Sequence, residues 1–95
     1  MKTSNTFALV TGASSGIGLE IARSLAKRGY NIILTARSED KLKAIAKEIS
    51  DNFKVKTSVF PTDLSDKTAP NKIFKFCELN KYDVSVLVNN AGFAN

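Results

Sequence analysis

Four short apolar runs divide the chain, and amphipathic stretches separate them. The predicted strands cover about residues 6–11, 31–35, 55–60 and 84–88. Between them, apolar residues recur every third or fourth position, which is typical of helices with one buried face. We expect these helices from about residue 15 to 28, from a cap at Ser38 to Asp51-Asn52, and from Thr68 or Ala69 onwards. The order is therefore β-α-β-α-β-α-β in a single domain over residues 1–95.

The second and third runs differ in their patterning. The run Asn31-Ile32-Ile33-Leu34-Thr35 has a continuous apolar centre, which indicates burial on both faces, as in a parallel sheet covered by helices. In the third run, Val55, Thr57 and Val59 alternate with polar residues, so one side faces water and the strand is expected at a sheet edge. Right-handed crossovers then predict a doubly wound α/β sheet.

A glycine-rich turn joins the first strand to the first helix, with the sequence Thr-Gly-Ala-Ser-Ser-Gly-Ile-Gly over residues 11–18. Gly12 permits a sharp turn, Gly16 permits close approach of a pyrophosphate, and Gly18 permits close helix–strand packing. The helix N-terminus would offer N–H groups to the phosphates. The apolar residues that share one face of this helix are Ile17, Ile21 and Leu25. Glycines here could also be simple turn residues, and no Gly-Lys-Ser/Thr follows, which disfavours a P-loop ATPase.

A second motif, Asn89-Asn90-Ala91-Gly92, follows the fourth strand. Together the two motifs resemble the short-chain dehydrogenase/reductase family, whose cofactor loop reads Thr-Gly-x-x-x-Gly-x-Gly, and the resemblance covers residues 6–92. It implies a Rossmann-like fold with strand order 3-2-1-4, which agrees with an edge position for the third strand. It also implies an oxidoreductase that transfers hydride between a nicotinamide and a carbonyl or alcohol.

The residues after the second strand bear on the choice of cofactor. The strand ends at Ala36 and Arg37 follows. This resembles the NADP-preferring members of the family, in which the guanidinium grips the 2′-phosphate and Ser14 can add a hydroxyl. Two alternatives are that Arg37 is a surface cation, or that Glu39 or Asp40 reaches the ribose and selects NAD. Both acids suit the first turn of a helix better, so we expect NADP(H) to be favoured over NAD(H).

Other candidate site residues follow the third and fourth strands. The resemblance places Asp63 and Leu64 beside the adenine ring, although Asp63 could equally bond its own backbone in a turn. It places Asn90 against the adenosine, with Ala91 and Gly92 leaving room for cofactor. The complete candidate set for cofactor binding is Gly12, Ser14, Ser15, Gly16, Ile17, Gly18, Arg37, Asp63, Leu64, Asn90, Ala91 and Gly92.

The chain departs from the family in its catalytic residues. Family catalysis depends on a Tyr-x-x-x-Lys motif, but Leu34 lies four residues after Tyr30, and Val86 lies four residues after Tyr82. We therefore assign no catalytic residue and expect an inactive, truncated N-terminal cofactor-binding half, whose substrate cannot be read. The alternatives are a non-catalytic binding or assembly module, or one half of a split enzyme completed by a partner chain.

Composition and charge bear on the binding partners and the location of the protein. The net charge is +5, but the lysines are interleaved with acidic and apolar residues, as on a solvated helix face, so we expect no nucleic-acid partner. The apolar runs are too short for a membrane span. A single cysteine, Cys77, and no histidine predict a cytoplasmic protein without a metal site. The fourth strand is apolar apart from Ser85, as a central strand would be, yet the expected order 3-2-1-4 makes it an exposed edge. An unprotected edge of this kind predicts a homo-oligomer, most simply a homodimer.

Overall fold

The computed structural model describes residues 6–14 and 16–90. Its elements in chain order are β1 (Thr6–Thr11), α1 (Gly16–Lys27), β2 (Asn31–Ala36), α2 (Glu39–Phe53), β3 (Thr57–Pro61), α3 (Ala69–Leu79) and β4 (Asp83–Asn89). The four strands form one parallel sheet in the order β3-β2-β1-β4. This confirms the predicted Rossmann-like architecture and the edge position of β3.

The helices cover the two faces of the sheet unequally. The larger hydrophobic cluster joins α1 and α2 to one face of β1 and β2, with Val86 and Val88 of β4 at its margin. On the opposite face, Ile73 and Cys77 of α3 pack against a smaller cluster from β1 and β2. Every residue of β1 and β2 is buried. The centre of the sheet therefore carries most of the core.

The buried face of α1 is built from small residues. Gly18, Ala22 and Ala26 are buried, whereas Ile17 is 71% exposed. Of the predicted apolar repeat, Leu25 packs against the larger cluster at its margin, whereas Ile17 at the start of the repeat does not face the core. Small side chains at the contact allow the helix backbone to lie close to the strand that precedes it.

The bounds of two elements, α2 and β3, differ from the sequence prediction. The α2 helix continues through Asp51 and Asn52 to Phe53, and it ends because Lys54 adopts the left-handed conformation (φ 56°) and donates its N–H to the Ser50 carbonyl. Strand β3 begins at Thr57 and includes Pro61. Proline has no N–H to donate to a neighbouring strand, and it is tolerated here because β3 lies at the edge of the sheet.

The N-terminal end of α2 is only partly as predicted. Ser38 is the cap residue, but its side chain makes no capping hydrogen bond. Its carbonyl instead accepts the Leu42 N–H at 3.1 Å.

An ion pair fixes α1 beside α2. Both terminal oxygens of Glu48 accept hydrogen bonds of 2.8 Å from the Arg23 guanidinium. These bonds hold the pKa of Glu48 below its ordinary value. The pair therefore helps to orient the helix that follows the glycine turn.

Strand β4 is bare on its outer side. None of its residues is buried, and Leu87 is 65% exposed. Its pairing with β1 shifts register near Ser85, between Val84 and Val86. A cavity of about 530 Å³ lies between α3 and β4, with mostly apolar walls that include Ile73, Phe74 and Leu87. None of the helices within residues 6–14 and 16–90 is both long and apolar enough to cross a bilayer.

Candidate dinucleotide-binding site

The carboxyl ends of the four parallel strands meet at one edge of the sheet and carry the candidate site residues. The glycine turn follows β1, and Arg37 follows β2. Asp63 comes shortly after β3, and Asn90 directly follows β4. Open α/β sheets bind ligands outside this edge, where the strand order reverses, which here is between β1 and β4.

The glycine turn has the backbone geometry that its sequence predicts. Gly12 and Gly16 have φ values of 64° and 62°, a region that favours glycine. A Cβ built on Gly16 would meet no atom within 4 Å, so this position faces open space. The Ala13 N–H donates to the Thr35 carbonyl at 3.3 Å and ties the turn to β2. Ser14 is half-buried, and Ser15 lies outside the described residues.

Gly18 lies at the tightest contact of the site. A Cβ at this position would collide with the Gly12 carbonyl oxygen and would lie 2.8 Å from Asn90 Nδ2. Asn90 Nδ2 itself donates to the Gly12 carbonyl at 3.4 Å. The turn is thus closed from one side by α1 and from the other by the end of β4, which agrees with the predicted packing role of Gly18.

Thr11 links the glycine turn to the end of β4, which the sequence reasoning missed. Its Oγ1 accepts the backbone N–H of Asn90 at 2.9 Å. The same hydroxyl lies 3.3 Å from both the Val88 carbonyl and Asn89 Oδ1, either of which can accept its proton. The threonine ahead of the first glycine was the available signal, but its partner is about 80 residues away. Ala91 and Gly92 lie outside the described residues.

Arg37 and Asp63 come together where β2 and β3 end. The Thr62 N–H donates to the Ala36 carbonyl at 2.9 Å, which joins the two segments. Arg37 Nη2 then lies 3.8 Å from Asp63 Oδ1. Both side chains are exposed, at 80% and 52% respectively, so the ion pair is open to solvent.

Asp63 also bonds its own turn. Its Oδ1 accepts the Ser65 hydroxyl at 2.7 Å and the Ser65 backbone N–H at 3.0 Å. These two bonds, and secondarily the charge of Arg37, hold the pKa of Asp63 below its ordinary value. The structure therefore shows the turn-bonding alternative for Asp63, while its contact with adenine stays a prediction. The neighbouring Leu64 packs against the smaller hydrophobic cluster.

Three further features bear on the chemistry of the site: the acid Glu39, the grouping of side chains that could bind a metal, and the thiol of Cys77. Glu39 lies in the first turn of α2 and pairs with Lys43 at 3.1 Å, so it is already held by a cation of its own helix. Within the part of the chain that the structure describes, no three histidine, cysteine or acidic residues are grouped to hold a metal ion. The pKa of the buried Cys77 thiol is raised by desolvation, so it is not an activated nucleophile.

A glycine turn between a parallel strand and a helix, at the switch point of a doubly wound sheet, defines a dinucleotide-binding domain of the Rossmann type. The family model for short chain dehydrogenases matches residues 6–95. The chain belongs to this family of oxidoreductases.

Curated relatives match almost all of this chain but only a part of their own length. The very-long-chain 3-oxoacyl-CoA reductase of Candida glabrata is 42% identical over 88 residues, which are 90% of this chain and 24% of that protein. The human protein named inactive hydroxysteroid dehydrogenase-like protein 1 is 41% identical over 92 residues, or 97% of this chain and 28% of that protein. The chain spans about a quarter of the length of these relatives.

Solved structures give the same picture. The L-sorbose reductase of Gluconobacter frateurii, complexed with NADPH and L-sorbose, aligns with a TM-score of 0.86 and 34% identity over 97% of this chain and 35% of that one. A β-ketoacyl-[ACP] reductase of Bacteroides thetaiotaomicron aligns with a TM-score of 0.80 and 39% identity over 92% of this chain and 40% of that one. Neighbours with bound NADPH support a nicotinamide dinucleotide as the cofactor class.

Proposed function

We propose that this chain is a single NADP(H)-binding domain that holds the adenosine end of the cofactor for a short-chain oxidoreductase. The observation that carries the proposal is that Arg37 follows β2 and the glycine turn follows the neighbouring parallel strand β1, so both lie at the same edge of the sheet. Gly16 leaves room for a pyrophosphate at the start of α1, whose partial positive charge favours it. A bound cofactor would supply hydride transfer to or from a carbonyl or alcohol, while the residues of this chain would hold its adenosine end.

Three features support NADP(H) over NAD(H). The residue that ends β2 is Ala36, so no carboxylate stands there to bond a ribose 2′-hydroxyl. Arg37 follows it and is exposed enough to reach a phosphate. The rival Glu39 is paired with Lys43. Arginine suits this task because its guanidinium can donate two parallel hydrogen bonds to a phosphate.

We further propose that the chain alone does not catalyse hydride transfer. Neither Tyr30 nor Tyr82 has a lysine four residues later. A relative that is itself named inactive supports keeping similarity over this segment apart from activity. Binding and turnover are therefore separate questions for this chain.

The test is cofactor binding by an Arg37→Ala variant, followed by NADPH and NADH fluorescence. We expect NADPH to bind about tenfold more weakly, because a charge-assisted hydrogen bond is lost, while NADH is nearly unaffected. Arg28→Ala is the control, since it removes an exposed cation at the far end of α1. Equal weakening of both cofactors would disprove the NADP(H) assignment, and an absence of binding to the unsubstituted chain would disprove the proposed function.

We also propose that the chain is a cytoplasmic homo-oligomer that associates through β4. The bare edge of this strand and the apolar cavity beside α3 support self-association, because unpaired strand edges readily pair with another chain. Most simply this gives a two-fold dimer. The cytoplasmic location rests on the lone buried Cys77, which suits a reducing compartment.

A further inference from the structure

A fixed negative charge stands beside the cation that we assign to the cofactor phosphate. Asp63 Oδ1 lies 3.8 Å from Arg37 Nη2. We infer that Asp63 determines specificity: it competes with the 2′-phosphate for Arg37 and so limits the preference for NADP(H) over NAD(H). This inference rests on the proposed function, because it concerns the same arginine.

The two partners of this ion pair differ in how firmly their side chains are held. Asp63 Oδ1 is held by the Ser65 hydroxyl and backbone N–H, at 2.7 and 3.0 Å. The segment that carries it is joined to β2 through the Thr62–Ala36 backbone bond of 2.9 Å. Arg37, by contrast, is a long side chain that is 80% exposed. Asp63 is therefore held by more bonds than Arg37, so we expect the guanidinium to be the partner that reorients toward a ligand.

A phosphate on Arg37 meets two costs from this arrangement. It must replace Asp63 as the partner of the guanidinium, and it must approach a carboxylate of the same sign. Because the ion pair is exposed to solvent and weak, each cost is small. We expect the sum to appear as a few-fold loss of affinity for ligands that carry the 2′-phosphate, and as no loss for ligands without it.

The same loop provides a matched control. Asp66 Oδ1 accepts the Thr68 backbone N–H and hydroxyl, both at 2.8 Å, in the same turn geometry as Asp63. Its ion-pair partner is Lys72, at 3.6 Å. Asp66→Asn therefore removes one negative charge from the loop without releasing Arg37, whereas Asp63→Asn removes the charge that faces it.

The experiment compares 2′,5′-ADP with 5′-AMP, since the two probes differ only in the 2′-phosphate. Dissociation constants are measured by NMR titration at low salt for the unsubstituted chain, Asp63→Asn, Asp66→Asn and Arg37→Ala. We expect Asp63→Asn to raise the affinity for 2′,5′-ADP relative to 5′-AMP two- to fivefold, since the ratio of the two constants cancels any contact of Asp63 with the adenine that both probes share. Asp66→Asn should shift the ratio of the two constants by less, and high salt should reduce the Asp63→Asn effect.

The other outcomes of this experiment contradict either the inference about Asp63 alone or the proposed function as well. If Asp63→Asn weakens both probes alike, Asp63 acts on the adenine and this inference is wrong. If Arg37→Ala loses 2′,5′-ADP selectively but Asp63→Asn changes nothing, the inference fails while the proposed function stands. If the unsubstituted chain binds neither probe, or binds both equally well and Arg37→Ala changes nothing, the proposed function and the inference fail together.

Discussion

Strands β2 and β4 lie on opposite sides of β1, and both pair with it in parallel, yet their environments differ completely. Every residue of β2 is buried, and no residue of β4 is. The reason is position: β2 has a neighbouring strand on each side and helices on both faces, whereas β4 has one neighbouring strand and little cover among the residues that the structure describes. Folding stability should therefore reside on the β2 side of the molecule.

The candidate site does not follow the same division. Arg37 and Asp63 belong to the β2–β3 side, but the glycine turn is closed by Asn90 from the end of β4. The turn thus depends on a strand that contributes little to the core. Substitutions on the two sides should therefore have separable effects on folding and on the closure of the turn.

The largest effect is expected from truncating the same residue type on each side. Leu34→Ala in β2 removes a side chain with no exposed surface and should cost about 2–5 kcal/mol of unfolding free energy. A domain of this size has little reserve, so much of the protein should be unfolded. Leu87→Ala in β4 should cost less than about 0.5 kcal/mol, because Leu87 is mostly exposed. Urea unfolding, followed by circular dichroism in dilute solution, measures both.

Equal losses of unfolding free energy in Leu34→Ala and Leu87→Ala would contradict the expected difference in stability between the two sides. Such a result would mean that β4 is packed as tightly in solution as β2. The dilute conditions matter because self-association through β4 would stabilise the unsubstituted chain and Leu34→Ala alike, and would therefore add a concentration-dependent contribution to the cost measured for Leu87→Ala.

Local sequence patterns predicted the β2 side well. The continuous apolar centre of β2 indicated burial on both faces. The recurrence of apolar residues at every third or fourth position indicated one buried helix face, which in α2 consists of Leu42, Ile45, Ala46 and Ile49. The wrong details arose where geometry overrode hydrophobicity. In α1, close packing against the sheet selects Gly18 and its small neighbours and leaves Ile17 outside, which an apolar periodicity cannot reveal.

The sequence indicated candidate site residues but not the contacts among them. The glycine turn is a candidate because of its spacing, and Arg37 because its place after β2 resembles that in the NADP-preferring members of the family. The Thr11–Asn90 bond joins residues at opposite ends of the chain and depends on the strand order. The Ser65 bonds to Asp63 are local, and the sequence left them as one of two alternatives.

A smaller effect is expected where the two sides meet, at Gly18. A Cβ in Gly18→Ala would collide with the Gly12 carbonyl and crowd Asn90, so we expect a cost of about 1–3 kcal/mol from overpacking. Gly16→Ala is the matched control, because its Cβ meets no atom and its cost of about 1–2 kcal/mol would come from the left-handed backbone alone. Urea unfolding gives the costs.

NMR distinguishes the two glycine variants even if their costs are similar. The Asn90 side-chain amide signals should move in Gly18→Ala because its bond to Gly12 is broken, and they should stay in place in Gly16→Ala. Unchanged Asn90 signals in Gly18→Ala would show that β4 does not close the turn.

The smallest effect on folding, and the clearest on association, is expected at the edge of β4. This strand has no lysine or proline to prevent pairing with another chain, whereas the opposite edge strand β3 ends in Pro61 and is preceded by Lys56. Leu87→Lys places a charge on an exposed position, so the monomer should keep its stability while self-association weakens.

Leu79→Lys is the control, because it makes the same change at an 81% exposed residue at the end of α3. In sedimentation velocity over a range of concentrations, the unsubstituted chain and Leu79→Lys should associate, and Leu87→Lys should stay monomeric. A chain that remains monomeric without substitution would show that water alone covers β4, and the difference between β2 and β4 would then concern packing only.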